Sequence, residues 1–278
     1  MKKRKVLLTI GILIVAIAMA TGAYFISVRI MSKGHNLIDL TSEGVPERRE
    51  DELYDGYVKL SEVEMHYTAL GEGYPVILVH GNGGSYKSVE DLGRYLANDY
   101  KVYMIDSRCH GKSTATEEIS YELMASDIKE FIECIGLVKP IVIGHSDGGI
   151  NALTVAINYP DLLKGIVSFG ANTVPGELKL YFRAGVAISD LFKKSILNDM
   201  MLRQPSITAE QLNTISVPAF IAAGEYDIVK LRNTVFIADN IKKSSVAIIK
   251  GKGHSSYVHD GKLAYNLISD FLAETVAA

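Results

Sequence analysis

The sequence has little cysteine. Cys109 and Cys134 are the two cysteines among its 278 residues. In the order of strands and helices predicted below, Cys109 falls in a loop at one end of the sheet, and Cys134 falls near the far end of a helix that runs away from that loop. A disulfide needs α-carbons within about 7 Å of each other. We therefore expect two free thiols and no disulfide framework.

The sequence also lacks a stripe of Lys and Arg interleaved with aromatic residues. The net charge is −3, and the first 33 residues carry several cations and no acid, so the rest of the chain is more acidic than the total suggests. An acidic globular part is a poor match for a polyanion. The sequence predicts no nucleic-acid partner.

Metal-binding and nucleotide-binding motifs are missing as well. No pair of histidines has the HExxH spacing, so no metal site is predicted. Gly81 and Gly83 follow a predicted strand, but the third glycine that a dinucleotide-binding loop requires would fall at Tyr86. We expect no cofactor, and we interpret this loop as one whose glycines let a backbone N–H approach a substrate.

The N-terminus carries a long apolar run. Residues 6–28 contain no charged residue and follow the basic cluster at residues 2–5, and at about 1.5 Å per residue they would span about 34 Å, enough to cross a bilayer. We therefore predict a membrane anchor in residues 1–33 and a linker in residues 34–56. The basic cluster predicts a single-pass protein of the cell membrane whose main domain, after the linker, lies outside the cytoplasm. A signal peptide cleaved after the small-residue motif at residues 18–20, which would give a secreted protein, is the alternative.

The body of the chain is organised around residues 140–149, with the sequence PIVIGHSDGG. A short β-branched run precedes Gly144, Ser146 stands at the apex, and a helical pattern follows Gly149. This is the G-x-S-x-G layout of strand, sharp turn and helix, which projects a serine hydroxyl above a sheet and leaves room only for glycine two residues before and two residues after the serine. Ser146 is therefore a candidate nucleophile.

Strands and helices alternate around this turn, with apolar runs of the kind that a buried strand shows. Eight strands are predicted, at residues 57–60, 63–70, 75–79, 102–105, 140–143, 165–169, 219–223 and 246–249. Residues 173–216 interrupt the alternation with helical segments and no strand, which indicates a short inserted lid. The pattern predicts a mostly parallel eight-stranded sheet flanked by helices, in a domain covering residues 57–278.

Over about residues 57–275 the chain resembles the α/β-hydrolase fold family. The matching pieces occur in the family's order: His80-Gly81, Asp106-x-Arg108-x-His110-Gly111-x-Ser113, the turn at Ser146, Gly224-Glu-Tyr-Asp227 and Gly253-His254. One departure is Cys109, where many members have glycine. The Ser146 turn is most similar to those of small-molecule esterases, the valacyclovir hydrolase group and the C–C hydrolase group.

The resemblance implies a Ser-His-Asp triad of Ser146, His254 and Asp227. A serine hydroxyl needs a base to become nucleophilic, and His254 follows the last predicted strand in a glycine-flanked loop; His259 is the alternative base. Asp227 would orient His254 and stabilise its charged form, with Glu225 as the alternative acid.

An oxyanion hole is expected from the backbone N–H groups of Asn82 and Asp147. The side chain of Asp147 could cap the following helix or could favour cationic substrates.

Taken together, the sequence predicts a cofactor-independent serine hydrolase that cleaves a carboxylic ester, or less readily an amide, of a small molecule through an acyl-enzyme. C–C bond hydrolysis or perhydrolysis on the same triad is an alternative, as is a catalytically silent binding domain on a membrane anchor. Dehalogenase and epoxide-hydrolase chemistry is disfavoured, because family members that perform it carry aspartate at the position of Ser146.

Overall fold

The structure, a computed structural model, describes residues 37–278. Its centre is a nine-stranded sheet with the order β1-β9-β8-β7-β6-β4-β5-β3-β2. The strands are β1 Leu37–Ile38, β2 Tyr54–Lys59, β3 Glu64–Leu70, β4 Tyr74–Val79, β5 Tyr100–Ile105, β6 Ile141–His145, β7 Gly165–Phe169, β8 Ala219–Tyr226 and β9 Ser244–Gly253. Across the sheet, from β1 at one edge through β9, β8, β7, β6 and β4 to β5, all neighbouring strands are parallel. The last two strands differ, because β3 pairs antiparallel with both β5 and β2. The predicted mostly parallel α/β architecture is confirmed.

Eight α-helices accompany the sheet in the described residues. They are α1 Glu90–Leu96, α2 Tyr121–Ile135, α3 Asp147–Asn158, α4 Leu180–Phe192, α5 Ile196–Arg203, α6 Ala209–Leu212, α7 Leu231–Asp239 and α8 Gly261–Ala277. Helix α2 begins where the Ser120 hydroxyl accepts a hydrogen bond from the N–H of Leu123, which satisfies one free donor of the first turn. It ends at Gly136, whose left-handed backbone terminates the helix.

The core lies on both faces of the sheet. Side chains of a strand alternate between faces, and the four buried residues of β4, Val76 to Val79, show this directly. Ile77 packs into the layer that contains Phe131 of α2 and Leu153 of α3. Leu78 packs into the opposite layer, which contains Leu272 of α8. The central strands are therefore apolar at consecutive positions, and their carboxyl ends form the rigid edge that carries the candidate site.

The number of strands corrects the predicted eight. The ninth, β1, lies within residues 34–56, and it pairs in parallel with β9 through Leu37 and Ile248. Two residues are too few to show an alternating pattern, so local sequence gave no signal for this strand. Farther along the same stretch, the backbone N–H of Arg49 donates to the backbone carbonyl oxygen of Arg94 in α1 at 3.1 Å.

The membrane anchor and the membrane localisation predicted from it are withdrawn. No helix within residues 37–278 is both long enough and apolar enough to cross a bilayer. The longest, α8, has 17 residues and so spans about 26 Å, and only one of its faces packs on the sheet. Residues 1–36, which contain the apolar run that carried the prediction, lie outside the described residues.

Residues 173–216 join β7 to β8 and contain α4, α5 and α6. An isolated antiparallel bridge between Leu178 and Val229 ties the start of this segment to the loop after β8. Helix α4 leaves Leu191 and Phe192 80% and 88% exposed. We call α4, α5 and α6 the lid helices.

Candidate active site

Ser146 occupies a strained turn between β6 and α3. Its φ and ψ are 56° and −117°, a conformation that costs a non-glycine residue about 1–3 kcal/mol. The turn is so tight that a Cβ on Gly144 would lie 1.9 Å from the carbonyl oxygen of Gly148, and a Cβ on Gly148 would lie 2.1 Å from the carbonyl oxygen of Val79. Glycine is required at both positions, and the serine side chain is directed away from the packed strand and helix.

His254 and Asp227 lie beside Ser146 in a hydrogen-bonded chain. His254 Nε2 lies 2.9 Å from Ser146 Oγ, and His254 Nδ1 lies 2.6 Å from Asp227 Oδ1. Asp227 follows β8 and His254 follows β9, so neighbouring parallel strands deliver both side chains to one edge of the sheet. An Nδ1–H donated to the carboxylate leaves Nε2 free to accept the serine proton.

The Asp227 carboxylate is fully buried and is stabilised as an anion. Burial by itself would raise the pKa of Asp227, but the nearby His254 charge, the hydrogen bond from His254 and the N–H of Val229 together hold that pKa below its usual value. The N–H of Val229 donates to Oδ1 at 2.9 Å. Asp227 is therefore ionised at neutral pH and can stabilise a charged imidazole.

The alternative acid and base lie elsewhere. Glu225 accepts a hydrogen bond from the N–H of Gly251 at 2.8 Å, and it is Asp227 that contacts His254. The ring of His259 packs on His145 with centroids 5.6 Å apart, and it is His254 that contacts Ser146. The structure thus brings together the three residues that we preferred.

The loop after β4 passes directly beside Ser146. A Cβ on Gly81 would lie 3.0 Å from the Cβ of Ser146, so the next residue, Asn82, borders the space in front of the hydroxyl. Asp147 is the first residue of α3, and the first N–H groups of a helix have no partner within it. Asn82 and Asp147 therefore line the same cavity as Ser146.

Sequence and structure comparisons agree on the fold. The profile of a family described as alpha/beta hydrolase fold matches residues 74–193. A Haemophilus influenzae protein assigned as an esterase or lipase is 22% identical over 71% of this chain and 82% of its own length. The 2-hydroxy-6-oxo-6-phenylhexa-2,4-dienoate hydrolase of Burkholderia cepacia is 32% identical over 55% of this chain and 59% of its own length. Several other curated relatives are matched over about half of their length or less.

Among solved structures, a protein assigned as a lipase from Acinetobacter baumannii AYE superimposes with a TM-score of 0.70 at 18% identity. The superposition covers 81% of this chain and 92% of that one. The protein has the α/β-hydrolase fold. It is an enzyme of the hydrolase class.

In this α/β-hydrolase, two buried histidines brace the site. His145 Nε2 lies 3.0 Å from the backbone carbonyl of His254, and His80 Nε2 accepts the N–H of Ser107 at 3.1 Å while its Nδ1 donates to the carbonyl of Gly81 at 2.7 Å. Burial, followed by the neighbouring histidine in each case, lowers the pKa of His145 to about 3 and that of His80 to about 4. Both rings therefore remain neutral.

The hydrolase family often has glycine where this chain has Cys109, and the structure explains the preference. The backbone at Cys109 has a φ of 62°, in the left-handed region that glycine adopts without steric penalty. The Cys109 sulfur lies 3.2 Å from the hydroxyl of Thr116 and 3.6 Å from its carbonyl oxygen. The turn is retained despite the side chain.

A cavity of about 390 Å³ opens above Ser146. Its apolar wall comes from residues 173–216 and from the loop after β8, through Leu178, Phe182, Met201 and Ile228. Its polar wall includes Asn82, Asp147, Asn172 and His259. None of the described residues lining this cavity is Lys or Arg, and within residues 37–278 no three His, Cys, Asp or Glu side chains are grouped so as to ligate a metal.

Sequence reasoning missed Gly170, which lies against the imidazole of His254. It has a φ of 61°, and a Cβ on it would lie 2.8 Å from Cε1 of His254 and 2.9 Å from Nδ1. The one signal available was a glycine at the end of a predicted strand, which is common enough to indicate nothing specific.

Proposed function

We propose that the protein is a serine hydrolase that cleaves a carboxylic ester of a small molecule through an acyl-enzyme intermediate, with an amide as a slower substrate. The observation that carries the proposal is the continuous hydrogen-bonded chain of Ser146, His254 and Asp227, with separations of 2.9 Å and 2.6 Å. Each member takes one role in acyl transfer, as nucleophile, base and orienting acid.

In the first half of the reaction, Ser146 Oγ attacks the ester carbonyl carbon as His254 Nε2 takes the hydroxyl proton. The carbonyl oxygen becomes an anion that accepts hydrogen bonds from the backbone N–H groups of Asn82 and Asp147. Asp227 stabilises the charged imidazole. As the tetrahedral intermediate collapses, the C–O bond to the alcohol breaks, and the alcohol leaves with the proton from His254.

In the second half, water attacks the acyl group on Ser146. His254 Nε2 takes a proton from that water and returns it to Ser146 Oγ as the acyl bond breaks, which releases the carboxylic acid. The neutral His145 beneath the base supports this cycle, because its contact with the His254 carbonyl holds the loop without adding a charge beside the imidazole.

The cavity supports a small substrate with an uncharged acyl group. Its volume of about 390 Å³ lies at the low end of small-molecule sites. Leu178, Phe182, Met201 and Ile228 offer an apolar wall to an alkyl or aromatic group.

C–C bond hydrolysis is the second candidate, because the Burkholderia cepacia relative carries that activity in its name and the same triad serves it. Its substrate is a carboxylate, as the name states. The lack of Lys and Arg among the described lining residues leaves such a group without an ion-pair partner. We therefore rank ester hydrolysis first.

The test uses the full chain and a series of p-nitrophenyl esters of increasing acyl length. We expect turnover with a preference for short acyl chains, and we expect Ser146→Ala to reduce kcat by several orders of magnitude, because the nucleophile is removed. Ser61→Ala, which removes an exposed hydroxyl that donates to Glu130, is the matched control and should retain activity. Equal activity in wild type and Ser146→Ala would refute the assignment of the nucleophile.

A second measurement covers the case of a silent binding domain. A fluorophosphonate probe should label wild type at Ser146 and leave Ser146→Ala unlabelled, because covalent capture requires an activated serine. Absence of both turnover and labelling in the wild type would refute the proposed function.

A further inference from the structure

The carboxylate of Asp147 is buried beside the nucleophile and is held by two uncharged donors. Asp147 is 5% exposed, and Asn82 Nδ2 donates to its Oδ2 at 3.0 Å. The hydroxyl of Tyr121 donates the second hydrogen bond. Burial raises the pKa of Asp147, and these two donors oppose that shift.

Asn82 also contacts the lid helix α5, and the backbone of Tyr121 contacts the residue directly after that helix. Asn82 Nδ2 reaches the carbonyl oxygen of Leu197, in the first turn of α5, at 3.4 Å. The backbone N–H of Tyr121 donates to the side-chain oxygen of Gln204, the residue directly after α5, at 3.2 Å. Both ends of α5 are therefore tied to residues that converge on Asp147.

Asn82 and Asp147 are also the residues whose backbone N–H groups we assign to the oxyanion hole. The bond from the Asn82 carboxamide to the Asp147 carboxylate joins the loop after β4 to the start of α3, and so restrains the separation of the two N–H donors. Oxyanion stabilisation depends steeply on donor placement, since donors must lie about 2.7–3.1 Å from the developing anion.

We propose that the Asp147 side chain is a positioning residue that couples the seating of lid helix α5 to the geometry of the oxyanion hole. The oxyanion part of this inference rests on the proposed function; the coupling of α5 to Asp147 does not. When α5 is packed in the position seen here, Asn82 and Tyr121 both hydrogen-bond to the Asp147 carboxylate, and the backbone N–H groups of Asn82 and Asp147 keep the spacing that an oxyanion needs. When α5 moves away, Asn82 loses its contact with Leu197, and the spacing of the two N–H groups is no longer restrained.

The chain contains no tryptophan, which provides a direct readout of α5. Leu202→Trp places one fluorophore on a partly buried position of α5 that does not line the cavity. In this background we expect Tyr121→Phe and Asn82→Ala each to increase acrylamide quenching of the introduced tryptophan about twofold, without substrate. Tyr265→Phe is the matched control, because it removes a tyrosine hydroxyl that donates to Asp99 on the exposed surface at 2.7 Å, and its quenching should equal that of the background.

The kinetic readout separates positioning from substrate binding. We expect Tyr121→Phe and Asn82→Ala each to lower kcat on a neutral ester about tenfold, with KM changed less than twofold, because the donors act mainly in the transition state. The fold-reduction of kcat in the double variant should be smaller than the product of the two single fold-reductions, since both side chains act through one carboxylate. Asp147→Asn keeps the side-chain volume and one acceptor oxygen. Its acrylamide quenching and its kcat should both fall between the values of the wild type and those of the double variant.

Unchanged quenching in both single variants would overturn the proposal whatever their activity, and so would fully multiplicative losses of kcat. A rise of KM confined to esters that carry an ammonium group would overturn it in favour of direct substrate recognition by Asp147. An inactive wild type would refute the proposed function alone, because the quenching comparison needs no turnover. Circular dichroism of each variant excludes misfolding as the cause of a loss.

Discussion

At the residue scale, a carboxylate and a glycine together fix the position of His254, the proposed base. Asp227 Oδ1 contacts Nδ1 at 2.6 Å. Gly170 packs against the same edge of the ring, where a Cβ would lie 2.9 Å from Nδ1 and 3.4 Å from Oδ2 of Asp227. The glycine is as necessary to the ring position as the hydrogen bond is.

We expect Gly170→Ala to reduce kcat by about 100-fold, because displacement of the ring by even about 1 Å breaks the alignment with Ser146. The φ of 61° adds strain for alanine. Ester hydrolysis and thermal melting measure the two effects. Gly185→Ala is the control, since nothing lies within 4 Å of its Cβ position on α4, and it should keep the activity of wild type. Equal activity of both variants would contradict the steric argument.

The sequence singles out Ser146 more sharply than it singles out the acid of the proposed triad, for a physical reason. The strand-turn-helix pattern and its glycines are local, so a short stretch of sequence specifies the turn that carries Ser146, the proposed nucleophile. Asp227 and Glu225 lie in the same loop, and which carboxylate turns toward His254 depends on the N–H of Val229 and on a strand that arrives later in the chain. No local pattern separates the two.

At the element scale, a buried ion pair joins the loop after β5 to helix α2. Arg108 Nε and Nη2 donate to the two carboxylate oxygens of Asp127, each at 2.6 Å. Their side chains are 2% and 4% exposed. The pair holds α2 against the sheet, and α2 begins with Tyr121 at the Asp147 carboxylate.

We expect Arg108→Ala to lower the free energy of unfolding by about 3–5 kcal/mol, because it leaves a buried carboxylate without its partner. The matched control is Arg203→Ala on α5, whose pair with Asp199 is exposed, and we expect a change within about 1 kcal/mol. Urea denaturation measures both. Similar small losses in the two variants would show that the buried pair does not anchor α2.

At the scale of the whole molecule, the two neutral histidines predict acid sensitivity. The pKa values of His80 and His145 are lowered to about 4 and about 3 in the folded protein, primarily by burial. An unfolded histidine titrates near about 6.5. Between these values the unfolded chain binds more protons than the folded one, so stability must fall as the pH falls. Asp227, whose pKa is lowered from an ordinary value of about 3.9, affects stability only below about pH 5.

We expect the free energy of unfolding to fall by about 2 kcal/mol for each of the two histidines between about pH 7.5 and about pH 5. Urea denaturation at both pH values measures the loss. His145→Gln should be less stable than wild type at the higher pH, yet should lose about 2 kcal/mol less on acidification. An identical loss in wild type and variant would show that His145 is not the titrating group.

The sequence by itself determined the α/β pattern, the serine turn and the histidine and acid loops, because strand and helix periodicities and glycine requirements act over a few neighbouring residues. The tertiary structure decided the ninth strand, the choice of Asp227 over Glu225, the packing of Gly170 on His254 and the contacts around Asp147. These depend on residues distant in the chain: Asn82 lies 65 positions from Asp147 and 115 from Leu197. Such contacts arise only when the sheet brings its strand ends together, since no local propensity specifies which side chains will then meet.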